Sequence, residues 1–171
     1  MSRYVAFLRG VSPQNLSMAT LRACLDTAGY ADVRTVLSSG NVVFSTRTTS
    51  VEALERRLAA DITHGVGRSF GLTIRSVDFL TQLVESDPFQ AFVVPNDAKR
   101  VITFLRSPPA VRPELPIARD GVHIFAVVER EIFTTYHPHP RGPVFMTMLE
   151  RAFGKDITTR TLDTVRKCAG A

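Results

Sequence analysis

Cysteine is scarce: Cys24 and Cys168 are the only two in 171 residues, far apart and in no CxxC pair. A disulfide framework is therefore excluded, and two free thiols in a reducing compartment are expected. No run of about 18 apolar residues exists, and no apolar h-region precedes the first strand. The expectation is a cytoplasmic chain with no membrane contact. Low-complexity tracts are missing, and no short sequence repeat stands out. The glycine-rich stretch Gly65–Gly71 follows no strand and leads into no Gly-Lys-Ser/Thr, so neither a Rossmann nor a Walker phosphate loop is present. No GxSxG frame surrounds Ser38 or Ser39, which argues against a hydrolase nucleophile. His137-Pro138-His139 has no cysteine or acidic partner at ligand spacing. Neither a metal nor a cofactor is expected.

What is present suits an ordinary globular chain. Hydrophobic residues make up 44%, enough at this length for a core that needs no disulfide or metal. The net charge is +5, carried mainly by arginine, since Lys99, Lys155 and Lys167 are the only lysines. The arginines are scattered, with Arg56-Arg57 the one adjacent arginine pair. They form no basic stripe and no aromatic-interleaved platform, so charge gives nucleic-acid binding only weak support.

The chain is organised around a hairpin. Val33–Leu37 and Val42–Thr46 flank Ser38-Ser39-Gly40-Asn41, residue types that tolerate positive φ at a reversal. Ahead of it, Arg3–Leu8 reads as a buried strand. Ser17 then caps a helix carrying Leu21, Cys24, Leu25 and Ala28, closed by Gly29. After it, Thr49 and Glu52 have capping-box spacing, and Val51, Leu54, Leu58 and Ile62 make one apolar stripe. Leu72–Val77 follows as a strand. The order across the first 77 residues is β-α-β-β-α-β, a ferredoxin-like signature.

The second half is less regular. Asp78 is expected to cap a short helix ending at Asp87-Pro88, and Arg100–Arg106 reads as a strand. Pro108, Pro109, Pro113 and Pro116 mark an extended connection rather than an element. Val122–Val128 and Glu131–Tyr136 form a second hairpin turning at Glu129-Arg130. A helix follows from about Pro143 to Phe153, and Thr158-Thr159 are expected to cap a last one. The expected fold is α+β, with two ferredoxin-like subdomains carrying antiparallel sheets, residues 1–77 and 78–171.

Right-handed crossovers bring three connections of the first unit to one end of its sheet. There an anion site is expected. Arg9, Gly10, Ser12 and Asn15 come from the first loop, and Ser38, Ser39, Gly40 and Asn41 from the hairpin. Arg68, with His64 beside it, comes from the third connection. Arginine offers a fork for phosphate or carboxylate, and glycine-flanked N–H groups add donors. The simpler reading is that Gly40 and Asn41 satisfy turn geometry and that Arg9 is a solvated charge at a strand end.

Tyr4-Val-Ala-Phe-Leu-Arg-Gly-Val11, Met18-Ala-Thr-Leu-Arg-Ala23 and Val33-Arg-Thr-Val-Leu-Ser-Ser-Gly-Asn-Val-Val-Phe44 together resemble the bacterial domain-of-unknown-function 1697 family. Thr158-Thr-Arg-Thr-Leu-Asp-Thr-Val165 resembles its closing motif. The resemblance implies two ferredoxin-like subdomains and brings no activity, cofactor or catalytic residue with it. The chain departs from the family pattern in a shorter loop after Arg9-Gly10, in Thr161-Leu162-Asp163 where Asn-Trp-Asn is usual, and in Glu129 where the second hairpin usually has glycine.

The leading functional expectation is a non-catalytic module binding a small anion, nucleotide or nucleic acid. One alternative is an enzyme acting on a phosphorylated or carboxylated small molecule in a cleft between the subdomains. The other is an interaction protein that pairs through open sheet edges as a homodimer.

Overall fold

The computed structural model describes all 171 residues. The first half runs β1 (Ser2–Leu8), α1 (Met18–Thr27), β2 (Ala31–Val36), β3 (Asn41–Thr46), α2 (Val51–Val66) and β4 (Leu72–Ser76). Its antiparallel sheet has the strand order β2-β3-β1-β4. β1 and β3 are buried on both faces, which explains their nearly unbroken apolar runs. Tyr4, Ala6 and Leu8 point to a core closed by Leu21 and Leu25 of α1 and Leu54, Leu58 and Ile62 of α2. Val5, Phe7 and Val43 point the other way, into the rest of the molecule.

The chain continues through α3 (Val77–Glu85), β5 (Lys99–Leu105), β6 (Ile117–Arg119), β7 (Val122–Val128), β8 (Glu131–Tyr136), α4 (Val144–Phe153), β9 (Ile157–Thr161) and α5 (Leu162–Ala169). The second antiparallel sheet is ordered β6-β7-β8-β5-β9. Val5, Phe7 and Val43 share one core with Leu80 of α3, Ile102 and Phe104 of β5, Phe133 of β8, and Leu162, Val165 and Cys168 of α5. A smaller core lies on the far side of the second sheet, under Leu149 of α4. Fold class is α+β, built on two antiparallel sheets. No helix is long and apolar enough to cross a membrane.

The two sheets repeat one plan. Strands β7-β8-β5-β9 take the places of β2-β3-β1-β4. Phe7 pairs with Asn41 and Thr73, and Phe104 pairs with Glu131 and Thr158 in the same register. Once the strands are matched, short sequence echoes emerge: Phe7-Leu8-Arg9 with Phe104-Leu105-Arg106, and Leu54-Glu55-Arg56 with Leu149-Glu150-Arg151. Thr73-Ile-Arg75-Ser76-Val-Asp78 likewise answers Thr158-Thr-Arg160-Thr161-Leu-Asp163. Unequal connections separate these segments, so no fixed period betrays them. The halves differ in one large respect. The β1–β2 connection contains α1, whereas the β5–β7 connection contains only the prolines and the edge strand β6.

Several local expectations shift. Ser50, not Thr49, caps α2, and Ser76, not Asp78, caps α3. Thr158 and Thr159 lie in β9, paired with Phe104 and Thr103, and the cap of α5 is Thr161. A β-branched pair beside a free strand edge gains a ladder there, which outweighs its capping propensity. β6 was not expected. Three residues are too few to show alternation.

Candidate functional site

The three connections of the first sheet do share one end. Leu8 N–H donates to the Gly40 carbonyl at 2.9 Å, and Arg9 N–H to the Gly71 carbonyl at 2.7 Å. The side chains there are engaged with the chain itself. Arg9 reaches into the second half, donating to the Ile157 carbonyl at 3.0 Å and to the Lys155 carbonyl, and pairing with Glu150 of α4. Asn15 closes its own loop, accepting from Ser12 N–H at 2.9 Å and donating to the Gly10 carbonyl at 2.7 Å. Buried Asn41 donates to the Val36 carbonyl and to Ser39 Oγ. Gly40 has φ +89°, and a Cβ there would meet Val11 Cγ2 at 2.8 Å. Ser38 is exposed at the hairpin turn. Arg68 lies over the Phe70 ring, and His64 lines a separate hollow between α1 and α2 with Cys24 and Asp61.

A seam of arginines that the sequence did not single out holds this end together. Arg160 of β9 donates to Asn41 Oδ1 at 2.6 Å and to the Leu8, Ser39 and Thr159 carbonyls. Arg75 of β4 does the same in the other half, donating to Glu131 at 2.7 Å and to the Leu105, Arg130 and Ile74 carbonyls. Phe7 and Phe104 stack between them with centroids 4.7 Å apart, and each carries one of the two guanidiniums, 5.6 and 5.4 Å away. Arg106 answers Arg9, pairing with Glu55 at 3.4 Å as Arg9 pairs with Glu150. The balance of charge differs between the halves. Arg75 has two carboxylates, Glu131 and Glu55, while Arg160 has none. Burial therefore pushes Arg160 down to about 10. It also pushes Arg75 down, against the pull of Glu131, and raises Glu55. The guanidiniums of Arg9, Arg75, Arg106 and Arg160 all have partners in the opposite half and join the two halves, whereas Arg68 has only the Phe70 ring.

Unpartnered polar groups lie elsewhere. Arg3 and Arg100 occupy equivalent positions at the starts of β1 and β5, opposite Ser45 and Thr135. Arg3 donates to Ser45 Oγ at 3.2 Å, to the Asp32 carbonyl at 3.1 Å and to the Ala171 carbonyl at 3.2 Å. Arg100 forms no ion pair, and Thr135 Oγ1, fully buried beside it, has no hydrogen-bond partner. His123, the next residue across the same sheet, also has a buried ring nitrogen, Nδ1, without one. Arg100 and Arg166 of α5 line a cleft of about 400 Å³ with Asp87, Gln90, Phe89 and Phe92. A second hollow of about 330 Å³ shares Arg100, Leu162 and Arg166 and adds Lys99 and Asp163. Three cations thus gather at an open cleft where the first half has closed hydrogen bonds. The signal available in sequence was the Lys99-Arg100 pair at a strand start, but Arg166 reaches it only through the fold.

Among solved structures, the chain is similar to the conserved bacterial protein SP0830 from Streptococcus pneumoniae. The TM-score is 0.69 at 16% identity, over 99% of this chain and 97% of that one. That likeness shows the shared fold. No curated protein matches. A family model described as a protein of unknown function, DUF1697, matches residues 1–133, which contain the Phe-Leu-Arg strand end and the Ser-Gly-Asn hairpin of the seam. This chain belongs to the DUF1697 family.

Proposed function

We propose that the protein is a non-catalytic binding module for a small molecule bearing phosphate or carboxylate, held in the cleft of Lys99, Arg100 and Arg166. One contrast carries this reading: Arg3 is satisfied by three oxygens of its own chain, while Arg100, at the same place in the repeated plan, faces an open cleft without a partner. A guanidinium offers paired donors matched to phosphate or carboxylate oxygens. Phe89 and Phe92 form an apolar wall for the body of the ligand. Asp87 and Asp163 keep the cleft from being uniformly positive, which favours a small anion over a polyanion. The setting in this reading is the cytoplasm, where Cys24 and Cys168 stay as the free thiols observed.

Thermal shift with inorganic phosphate and with AMP, at constant ionic strength, tests the reading. A ligand at 100 times its Kd adds about 2.7 kcal/mol, which raises the melting temperature of a chain this size by roughly 5–10 °C. Arg100→Gln and Arg166→Gln should each abolish the saturable shift, and Arg9→Gln should leave it in place. A shift that survives both cleft substitutions, or the absence of any saturable shift, overturns this assignment.

A further inference from the structure

The missing counterpart of α1 leaves a mark on the second half. In the first half, α1 lies against α2 on one face of the sheet and buries Leu21 and Leu25 completely. In the second half no helix lies beside α4, and Leu149 is its one fully buried residue. A groove of about 270 Å³ runs there instead, walled by Ile117 of β6, Ile124 of β7, and Met148 and Ala152 of α4. Arg119 and Arg151 stand along it. Arg151 has no ion pair, and that of Arg119 is an exposed contact of 3.5 Å with its neighbour Asp120. Exposed pairs of that kind contribute at most about 1 kcal/mol, so both guanidiniums are available.

We propose that this groove is a second ligand site, taking a medium-chain aliphatic monocarboxylate with its chain on the apolar wall and its carboxylate between Arg119 and Arg151. Size selects a small molecule over a helix. Two turns of helix are about 11 Å long and 10 Å across, more than the groove contains once β6 has joined the sheet edge. Charge selects an acid over a neutral lipid, because both polar groups at the ends of the long side chains are cations. The site is independent of Arg100: no residue lines both.

Isothermal titration of the full chain with decanoate, below its micelle concentration, is the test, with decanol as the neutral control. One saturable site is expected, with decanol at least tenfold weaker. Ala152→Trp, which fills the groove, should remove binding. Arg119→Gln combined with Arg151→Gln, on exposed positions that leave the core untouched, should weaken it about tenfold or more while the melting temperature without ligand stays the same. Arg100→Gln should bind decanoate as the parent does. The proposal fails if decanoate shows no saturable binding, if decanol binds equally well, or if the double arginine variant binds decanoate unchanged.

Discussion

Arg75 and Arg160 each donate to three backbone carbonyls, at corresponding places in the two halves, and differ in what balances their charge. Removing Arg75 leaves Glu131 buried without its counter-ion and Glu55 with Arg106 alone, and truncation of one member of a buried ion network costs about 3–5 kcal/mol. Removing Arg160 leaves only amide and carbonyl acceptors behind, each a loss of about 1–3 kcal/mol if unsatisfied. Arg75→Met is therefore expected to destabilise more than Arg160→Met in urea denaturation, and the reverse order would contradict the charge assignment. At this scale the sequence was a poor guide. Arg9 and Asn41 were legible as special residues, but their partners, Glu150 and Arg160, are remote in the chain. Arg160 itself looks like one cation among many until β9 is laid beside β5.

Among the elements, the two hairpins could be read directly. Glu129-Arg130 turns where it was expected, and the first hairpin turns one residue early, at Leu37–Gly40, with Leu37 at positive φ and Asn41 already paired with Val36 in β3. The tip of the first hairpin is a packing site as well as a turn. Gly40 combines a positive φ with Val11 and Leu8 within 3.1 Å of where a Cβ would lie. Gly40→Ala should therefore destabilise by about 1–3 kcal/mol, from backbone strain and overpacking together. Equilibrium denaturation checks this; a neutral substitution would mean that the β2–β3 turn relaxes freely. The caps were displaced by one to three residues because serine, threonine or aspartate recurs near these helix starts, and several neighbours satisfy the same pattern.

For the molecule as a whole, the repeated plan matters most. The two sheets share a core through Phe7 and Phe104, and Arg75, Arg160, Arg9 and Arg106 all cross between the halves. Neither sheet is covered on both faces without the other. Unfolding should therefore be a single cooperative transition, with the slowest amides of β3 and β8 exchanging hydrogen at the same free energy. Separate exchange energies for these two strands would show that the halves unfold independently. The same plan explains both candidate ligand sites as breaks in the repeat: Arg100 lacks the partners of Arg3, and α4 lacks a neighbour equivalent to α1.

Local pattern dictated the α+β class, the β-α-β-β-α-β order of the first half, both hairpins and the family likeness. Each of these rests on periodicity, turn chemistry or contiguous motifs, which act over a few residues. Long-range pairing decided the rest: the seam of arginines, the shared core, the unpartnered Arg100 and the uncovered face of α4. Whether a buried or half-buried polar group is satisfied depends on which distant backbone atoms come within about 3 Å of it. That distance is a property of the assembled sheets, and no short stretch of chain contains it.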